Sequence, residues 1–251
     1  MAAENGLTVI AITDHDSTEG VKPALEAAKA YPPLRVIPGV EINTDAPDGA
    51  VHVLGYFVDY EDEWFMNQLR ALRQSREVRA WEMIAKLDEL GVHVDWRRVQ
   101  ELAAGGAIGR PHVAQAMLEA GYIASIEDAF ADYIGRKGPA YVKRLRLNPA
   151  EAVETIVRAG GLPVLAHPAD IADLEGLVVE LKRVGLVGLE TYYNGYRDKT
   201  IQRIARLAKA HGLLTSGGSD FHGIHGPGET RIGGVDVPYH CVQRLLDRAG
   251  Q

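Results

Sequence analysis

Cysteine is nearly absent from this chain, whose 251 residues contain only Cys241. One thiol can form neither a disulfide framework nor a cysteine-based zinc site, and its isolation favours a reducing, cytoplasmic setting. Long apolar runs are also lacking, because no segment approaches the roughly 20 apolar residues of a membrane span. The first residues, MAAENGLTV, have neither the basic start nor the apolar core of a signal peptide. We therefore expect no membrane partner.

Positive charge is in the minority, with 27 Lys and Arg against 34 Asp and Glu and a net charge of −7 at pH 7. This balance argues against broad electrostatic capture of duplex DNA or of an anionic membrane surface. A small or short anionic substrate would need a local cluster of positive charge. The hydrophobic content of 46% predicts a globular protein.

Short apolar segments alternate with helical patterns over most of the chain. The predicted strands are Leu7–Thr13, Leu34–Pro38, Val51–Val58, Leu162–Ala166, Leu186–Thr191 and Leu213–Gly217. The predicted helices between them are Gly20–Ala30, Pro149–Ala159, Ala172–Val184 and Asp198–His211. Most of these strands are too apolar to have a solvated face, so the order predicts parallel βα units and an open or closed α/β barrel.

The pattern becomes all-helical between about residues 60 and 143. Trp64–Leu90 is a long, strongly charged helical stretch, and Gly109-Arg-Pro-His begins another helix with Pro111 at a favoured first position. We interpret this stretch as a helical insertion within a single domain of residues 1–251, and we expect it to cover part of the barrel mouth.

Polar side chains follow the predicted strands. Asp14, His15 and Asp16 come directly after the first strand, where charges are costly to bury unless something pairs with them or binds them. The polar residues that follow the other strands are Glu41, His52, His167, Asp220 and His222. Because the C-terminal ends of parallel barrel strands meet at one mouth, these side chains predict one shared site.

Imidazoles mixed with carboxylates suit Zn, Mn or Fe(II). Four histidines and two carboxylates exceed the needs of one ion, so we predict at least two metals, which can activate a bridging water for in-line phosphoryl displacement. Asp14 and Asp16 either orient His15 or cap the next helix. For a single strand-end histidine, and for His52 in particular, a purely structural hydrogen-bonding role is the alternative.

The remaining histidines receive no role. His93, His211 and His240 lie in helical or loop contexts without companions, and His225 is left open.

Five ordered motifs, TDHD, PGVE, VHVLGYF, AHP and SDFHG, resemble those of the PHP (polymerase and histidinol phosphatase) family of phosphoesterases. IGRPHVA and YIGRKGPAYV extend the likeness to the branch with ribonuclease AM and the 3′,5′-nucleotide bisphosphate phosphatases. The resemblance implies a distorted (β/α)7 TIM-like barrel with two to three divalent metals, Mn, Fe or Zn. It also implies hydrolysis of a phosphate ester of a nucleotide or short oligonucleotide through a metal-bridging hydroxide.

The resemblance assigns roles residue by residue. The implied metal ligands are His15, Glu41, His52, His167, Asp220 and His222. Arg110 matches a position near the substrate phosphate, which a guanidinium can grip with two hydrogen bonds, although a surface arginine at a helix start is the alternative. Arg136 matches a second basic position, but Arg-Lys-Gly-Pro stands here where relatives show Arg-Gly-basic-Pro.

One family segment is missing from the sequence. Relatives open with a strand ending in Asp-Leu-His-x-His-Ser and a following Ser-Asp-Gly, which supply two histidines and an aspartate. We therefore expect a barrel without its first strand and a chain that is a shortened version of a longer functional protein. The alternatives are a catalytically inactive PHP-like binding domain and metal-dependent amide hydrolysis, which leaves Arg110 and Arg136 without a role.

Overall fold

The computed structural model describes residues 1–46, 49–104, 108–143, 147–223 and 231–251. The chain divides into two compact units, Met1–Met66 with Leu147–Gln251, and Asn67–Arg146. Within the described residues, no helix is long and apolar enough to cross a membrane.

One sheet of six strands can be traced through the described part of the first unit. The strands, in sheet order, are β1 (Val9–Ile12), β2 (Arg35–Ala46), β3 (Gly49–Tyr56), β4 (Leu162–Leu165), β5 (Gly188–Tyr193) and β6 (Leu214–Gly218). All six predicted segments form strands, and the sheet curls into a half-barrel. The predicted α/β class with a distorted TIM-like barrel is confirmed.

The prediction of parallel units is wrong for β3, which runs antiparallel to both β2 and β4. β2 ends at Ala46 and β3 begins at Gly49, whereas a parallel crossover needs a dozen or more residues. The register pairs Asn43 with His52 and Val53 with Leu165. Because β3 is reversed, its beginning lies at the same edge of the sheet as the C-terminal ends of β2 and β4.

The helices, in chain order, are α1 (Val21–Ala28), α2 (Glu63–Glu89), α3 (Trp96–Ala103), α4 (Arg110–Glu119), α5 (Ile126–Asp128), α6 (Pro149–Arg158), α7 (Leu174–Arg183), α8 (Asp198–Ala210) and α9 (Tyr239–Ala249). The helix α6 shows why these segments begin where they do. The side chain of Asn148 accepts a hydrogen bond from the Glu151 N–H at 2.9 Å, and Pro149 takes the first helical position.

Each unit has its own core. In the first unit, the strand residues Ile42, Val53, Leu165 and Leu189 are fully buried. In the second unit, α2 and α4 bury a cluster that includes Met83, Leu87, Val113, Met117 and Ile134.

Candidate metal centre

Four histidine rings form a continuous row at one edge of the sheet. The ring centroids of His15 and His52 are 5.4 Å apart, those of His52 and His167 are 4.9 Å apart, and those of His15 and His222 are 5.7 Å apart. His15 lies beyond the end of β1 but still bridges to Glu41 of β2. The sheet therefore brings together histidines that are up to 207 residues apart in the chain, from His15 to His222.

The carboxylate of Glu41 lies among three of these rings. Its Oε1 is 2.7 Å from His52 Nδ1 and 3.4 Å from His167 Nε2, and its Oε2 is 3.6 Å from His15 Nδ1. Burial raises the pKa of Glu41, but hydrogen bonds from His167 and His52 and the charges of the imidazoles outweigh it, so the pKa lies well below its usual value. The Glu41 carboxylate is therefore ionised, and its oxygens can serve as metal ligands.

Two of these residues lie inside strands. Glu41 was predicted to follow a strand that ends at Pro38, whereas His52 already lay within the predicted strand Val51–Val58. Glu41 is in the middle of β2, opposite Leu54, and His52 is in the first half of β3. β2 extends past Pro38 to Ala46 because it pairs with β3 along its whole second half. The reversal of β3 brings His52 to the same edge as Glu41.

The donor atoms fit a transition-metal ion. Glu41 Oε1, His52 Nδ1 and His167 Nε2 are 2.7, 3.1 and 3.4 Å from one another. Ligands that share one ion through bonds of about 2.0–2.2 Å lie about 3 Å apart. His15, Glu41 and His52 also offer ligand atoms that all lie within 4.8 Å of one another. Imidazole nitrogens mixed with a carboxylate suit Zn, Mn or Fe(II), and the identity and number of the ions stay predictions.

Asp220 and His222 follow β6. The backbone of Asp220 has a φ of 51°, and its Oδ2 accepts a hydrogen bond from the Tyr193 hydroxyl at 2.9 Å. His222 Nδ1 is 2.8 Å from the carbonyl oxygen of Asp220. Because a carbonyl can only accept, Nδ1 carries the proton in this bond, and in the neutral ring Nε2 is then the atom with a lone pair for an ion.

Asp16 ties the segment after β1 to β2. It is fully buried, its Oδ1 accepts from the Asn43 N–H at 3.1 Å, and its own N–H donates to the Glu41 carbonyl at 2.9 Å. The Asn43 side chain lies 2.9 Å from His15 Nδ1. Asn43 was not among the predicted site residues, because an amide inside an extended strand resembles an ordinary edge residue.

Asp14 lies beside His15 and at the start of the helix α1. The N-cap residue of α1 is Gly20, and a Cβ there would overlap Asp14 Oδ2. Whether Asp14 and Asp16 orient His15 or cap α1 stays a prediction. Burial raises the pKa of Asp14, partly offset by the charges of His15 and His222. The Asp14 carboxyl is therefore close to two predicted ligands, His15 and His222.

Glu190 is a further carboxyl at this edge that the sequence analysis missed. It lies on β5, is only 5% exposed, and its Oε2 accepts a hydrogen bond from the His167 N–H at 2.7 Å. Burial raises its pKa to about 8. A charged residue inside the apolar segment Leu186–Thr191 was the signal that could have identified it.

A cavity of about 810 Å³ opens at the candidate metal centre. It runs between β1 and β6, and its lining includes His15, Glu41, His167, Asp220 and His222. Its size is in the range of small-molecule sites, about 300–1,000 Å³.

Arg110 and Arg136 belong to the second unit. Arg110 is the first residue of α4, and its guanidinium carbon lies 5.3 Å from the centre of the Phe130 ring. Arg136 is exposed and follows the π-helical turn Ala129–Ile134. Contact of either arginine with a phosphate stays a prediction.

Three other histidines have local partners. His93 contacts Asp88, and His211 Nε2 is 3.1 Å from Glu175 Oε1. The ring of His240 lies near Cys241. His225 lies outside the described residues.

Comparison with known proteins gives close relatives, although no family model matches the chain. A 5′-3′ exoribonuclease from Haemophilus influenzae is 33% identical over 226 residues, which are 88% of this chain and 81% of the relative. A 3′,5′-nucleoside bisphosphate phosphatase from Chromobacterium violaceum is 31% identical over 246 residues, 94% of this chain and 82% of the relative. The crystal structure of a Bifidobacterium adolescentis protein assigned as a metal-dependent phosphoesterase superposes with a TM-score of 0.85 at 30% identity, covering 98% of this chain and 88% of that chain.

Proposed function

Because the chain belongs to the PHP family of metal-dependent phosphoesterases, we propose that it hydrolyses a phosphate ester of a nucleotide or short oligonucleotide. The observation that carries this proposal is the convergence of Glu41, His52 and His167, whose donor atoms lie within 3.4 Å of one another. The relatives named above are a ribonuclease and a nucleotide phosphatase, which supports a substrate of this class.

Two to three divalent ions, Mn, Fe or Zn, are the proposed cofactors. Their proposed ligands are His15, Glu41, His52, His167, Asp220 and His222. When bound, such ions lower the pKa of water, so that hydroxide can attack phosphorus, and neutralise charge on phosphoryl oxygens. Glu41 suits this role because it is ionised, and His222 suits it because its Nδ1 proton is engaged by a backbone carbonyl.

The remaining residues have proposed roles in orientation and in phosphate binding. Asp16 and Asp14 orient the segment that carries His15. Arg110 and Arg136 grip the substrate phosphate, and a guanidinium is suited to this by its two parallel N–H donors. We further propose that residues 1–251 act as one PHP domain with a helical insertion at about 60–143, in the cytoplasm, without a duplex DNA or membrane partner.

The test compares the metal-free protein with the protein reloaded separately with Mn²⁺, Fe²⁺ or Zn²⁺. Substrates are 3′,5′-bisphosphorylated nucleosides and short 5′-phosphorylated RNA, and release of phosphate or mononucleotide is measured. We expect turnover only after reloading. His167→Ala should abolish it and His93→Ala should not, which excludes a contaminating nuclease. Binding of these substrates by a metal-loaded protein that releases no product would instead support the inactive binding domain.

A further inference from the structure

The strand β5 supplies no predicted metal ligand, although predicted ligands follow both of its neighbours. His167 follows β4 on one side, and Asp220 follows β6 on the other. The two β5 side chains that reach these residues are Glu190 and Tyr193.

A bulge in β5 explains how Glu190 and Tyr193, three positions apart, can face the same side of the sheet. The register with β6 pairs Glu190 with Ser216 and Tyr192 with Gly217, so Thr191 is an extra residue in β5. Side chains three apart in a regular strand face opposite sides, whereas one extra residue restores the same side. The bulge therefore directs Tyr193 towards the side that Glu190 already faces.

Glu190 holds the backbone of His167. His167 has a φ of 27° and a ψ of 57°, although it precedes Pro168 and a residue before proline is normally extended. This conformation persists only where the surroundings impose it. β4 has ended at Leu165, and the Glu190 carboxyl accepts the His167 N–H at 2.7 Å in place of a strand partner.

Tyr193 holds the side chain of Asp220. Its hydroxyl donates to Asp220 Oδ2 at 2.9 Å, and its ring centroid lies 5.4 Å from that of His167. The centroids of the Tyr193 and Tyr196 rings are 5.1 Å apart, and the Tyr196 hydroxyl accepts the Ala169 N–H at 2.9 Å. Tyr193 thus contacts two predicted ligands that arrive from different strands.

We propose that Glu190 and Tyr193 are positioning residues, through which β5 fixes His167 and Asp220 for metal binding. The inference rests on the proposed function, since it requires that these two residues bind metal. Groups that hydrogen-bond to metal ligands fix the orientation of those ligands, and their loss typically weakens metal binding about 10–100-fold. A phenylalanine at position 193 would keep the ring packing and lose only the hydroxyl.

The experiment measures Zn²⁺ affinity of the full chain by competition with a chromophoric chelator, together with the visible spectrum of the Co²⁺-loaded protein. Tyr193→Phe should weaken Zn²⁺ binding about 10–100-fold and change the Co²⁺ spectrum, while the unfolding temperature of the metal-free protein stays near that of the wild type. Tyr192→Phe, on the same bulge, is the matched control and should bind like the wild type.

Glu190 is tested by its own pair of variants. Glu190→Gln keeps an acceptor for the His167 N–H and should retain Zn²⁺ affinity, whereas Glu190→Met should lose it. Wild-type Zn²⁺ affinity in Tyr193→Phe would overturn the role assigned to Tyr193. An equal loss of Zn²⁺ affinity in Glu190→Gln and Glu190→Met would overturn the role assigned to Glu190. A wild-type protein that binds none of Mn²⁺, Fe²⁺ and Zn²⁺ would overturn the proposed function itself, a result distinct from either of these.

Discussion

Glu41 is the residue on which the candidate metal centre depends, since its two oxygens face His15, His52 and His167. A buried carboxylate is stable only with charge or hydrogen-bond partners, and the imidazoles provide them here. A metal ion can replace the imidazole protons, because both are positive and both are attracted to the lone pairs of the ring nitrogens and of the Glu41 oxygens. A pairing that stabilises the metal-free protein therefore also assembles the ligands of a metal.

Histidines at the sheet edge should differ from histidines elsewhere in their effect on metal content. We expect His167→Ala and His222→Ala each to lower the metal content, measured by elemental analysis, because each removes a donor from the ring cluster. His93→Ala and His240→Ala remove rings with local partners only and should retain full content. Equal metal content in all four variants would contradict the assignment.

Arg110 offers a second prediction at this scale. Arg110→Ala should lower kcat/KM by a factor equivalent to about 1.5–3 kcal/mol, the size of a hydrogen bond to a charged group, with metal content unchanged. Arg110→Lys should recover only part of the loss, because an ammonium cannot form two parallel bonds. Unchanged kinetics in Arg110→Ala would leave it a surface arginine that packs on Phe130.

The elements of the fold could be predicted from sequence better than their directions. Apolar segments bounded by polar residues located all six described strands, because burial on both faces leaves a clear pattern. β3 is antiparallel because the connection after Ala46 is too short for a parallel crossover. The predicted strand ended at Pro38, which left an apparently long connection before β3. The helix α9 was missed. The helix α3 lies inside the region predicted as all-helical, but its start was not identified, although Asp95 is an N-cap residue that accepts from the Arg97 N–H.

The candidate site shows the same difference between residues that a local pattern reveals and residues whose roles depend on strand pairing. Strand-end histidines could be recognised from residue type and position alone. Asn43 and Tyr193 could not, because their roles depend on the register of β2 with β3 and on the bulge in β5. Glu190 stands out as a carboxyl in an apolar segment, but its contact with His167 could be found only from the structure. A bulge depends on pairing with a distant strand and leaves no periodic trace in a segment of six residues.

A substitution of Gly217 tests the importance of the bulge in β5. A Cβ there would overlap the carbonyl oxygen of Tyr192, whereas a Cβ at Gly218 would meet only Glu190 Oε1 at 3.9 Å. Gly217→Ala should therefore cost about 1–3 kcal/mol of unfolding free energy, the usual range for overpacking, and should weaken Zn²⁺ binding by displacing Tyr193. Gly218→Ala is the matched control. Denaturant titration measures both, and equal stabilities would mean that the bulge tolerates a side chain.

At the scale of the whole molecule, the candidate ligands come from the segment after β1, from β2 and β3, and from the segments after β4 and β6. Their donor atoms meet only when the sheet is formed, so an ion that binds them binds the folded state alone. The candidate metal centre should therefore contribute to the stability of the first unit, in addition to its proposed part in catalysis.

Removal of the metal should lower the unfolding temperature of the wild-type protein. Zn²⁺ at 100 times its Kd would add about 2.7 kcal/mol to the folded state, and at this chain length each kcal/mol corresponds to about 2–4 °C. Scanning calorimetry with and without a chelator should thus show a fall of about 5–10 °C. His167→Ala should show a much smaller fall, because one ligand is gone, and His93→Ala should show the full effect. A chelator that leaves the wild-type midpoint unchanged would contradict this prediction, because the ion would then not bind the folded state in preference to the unfolded chain.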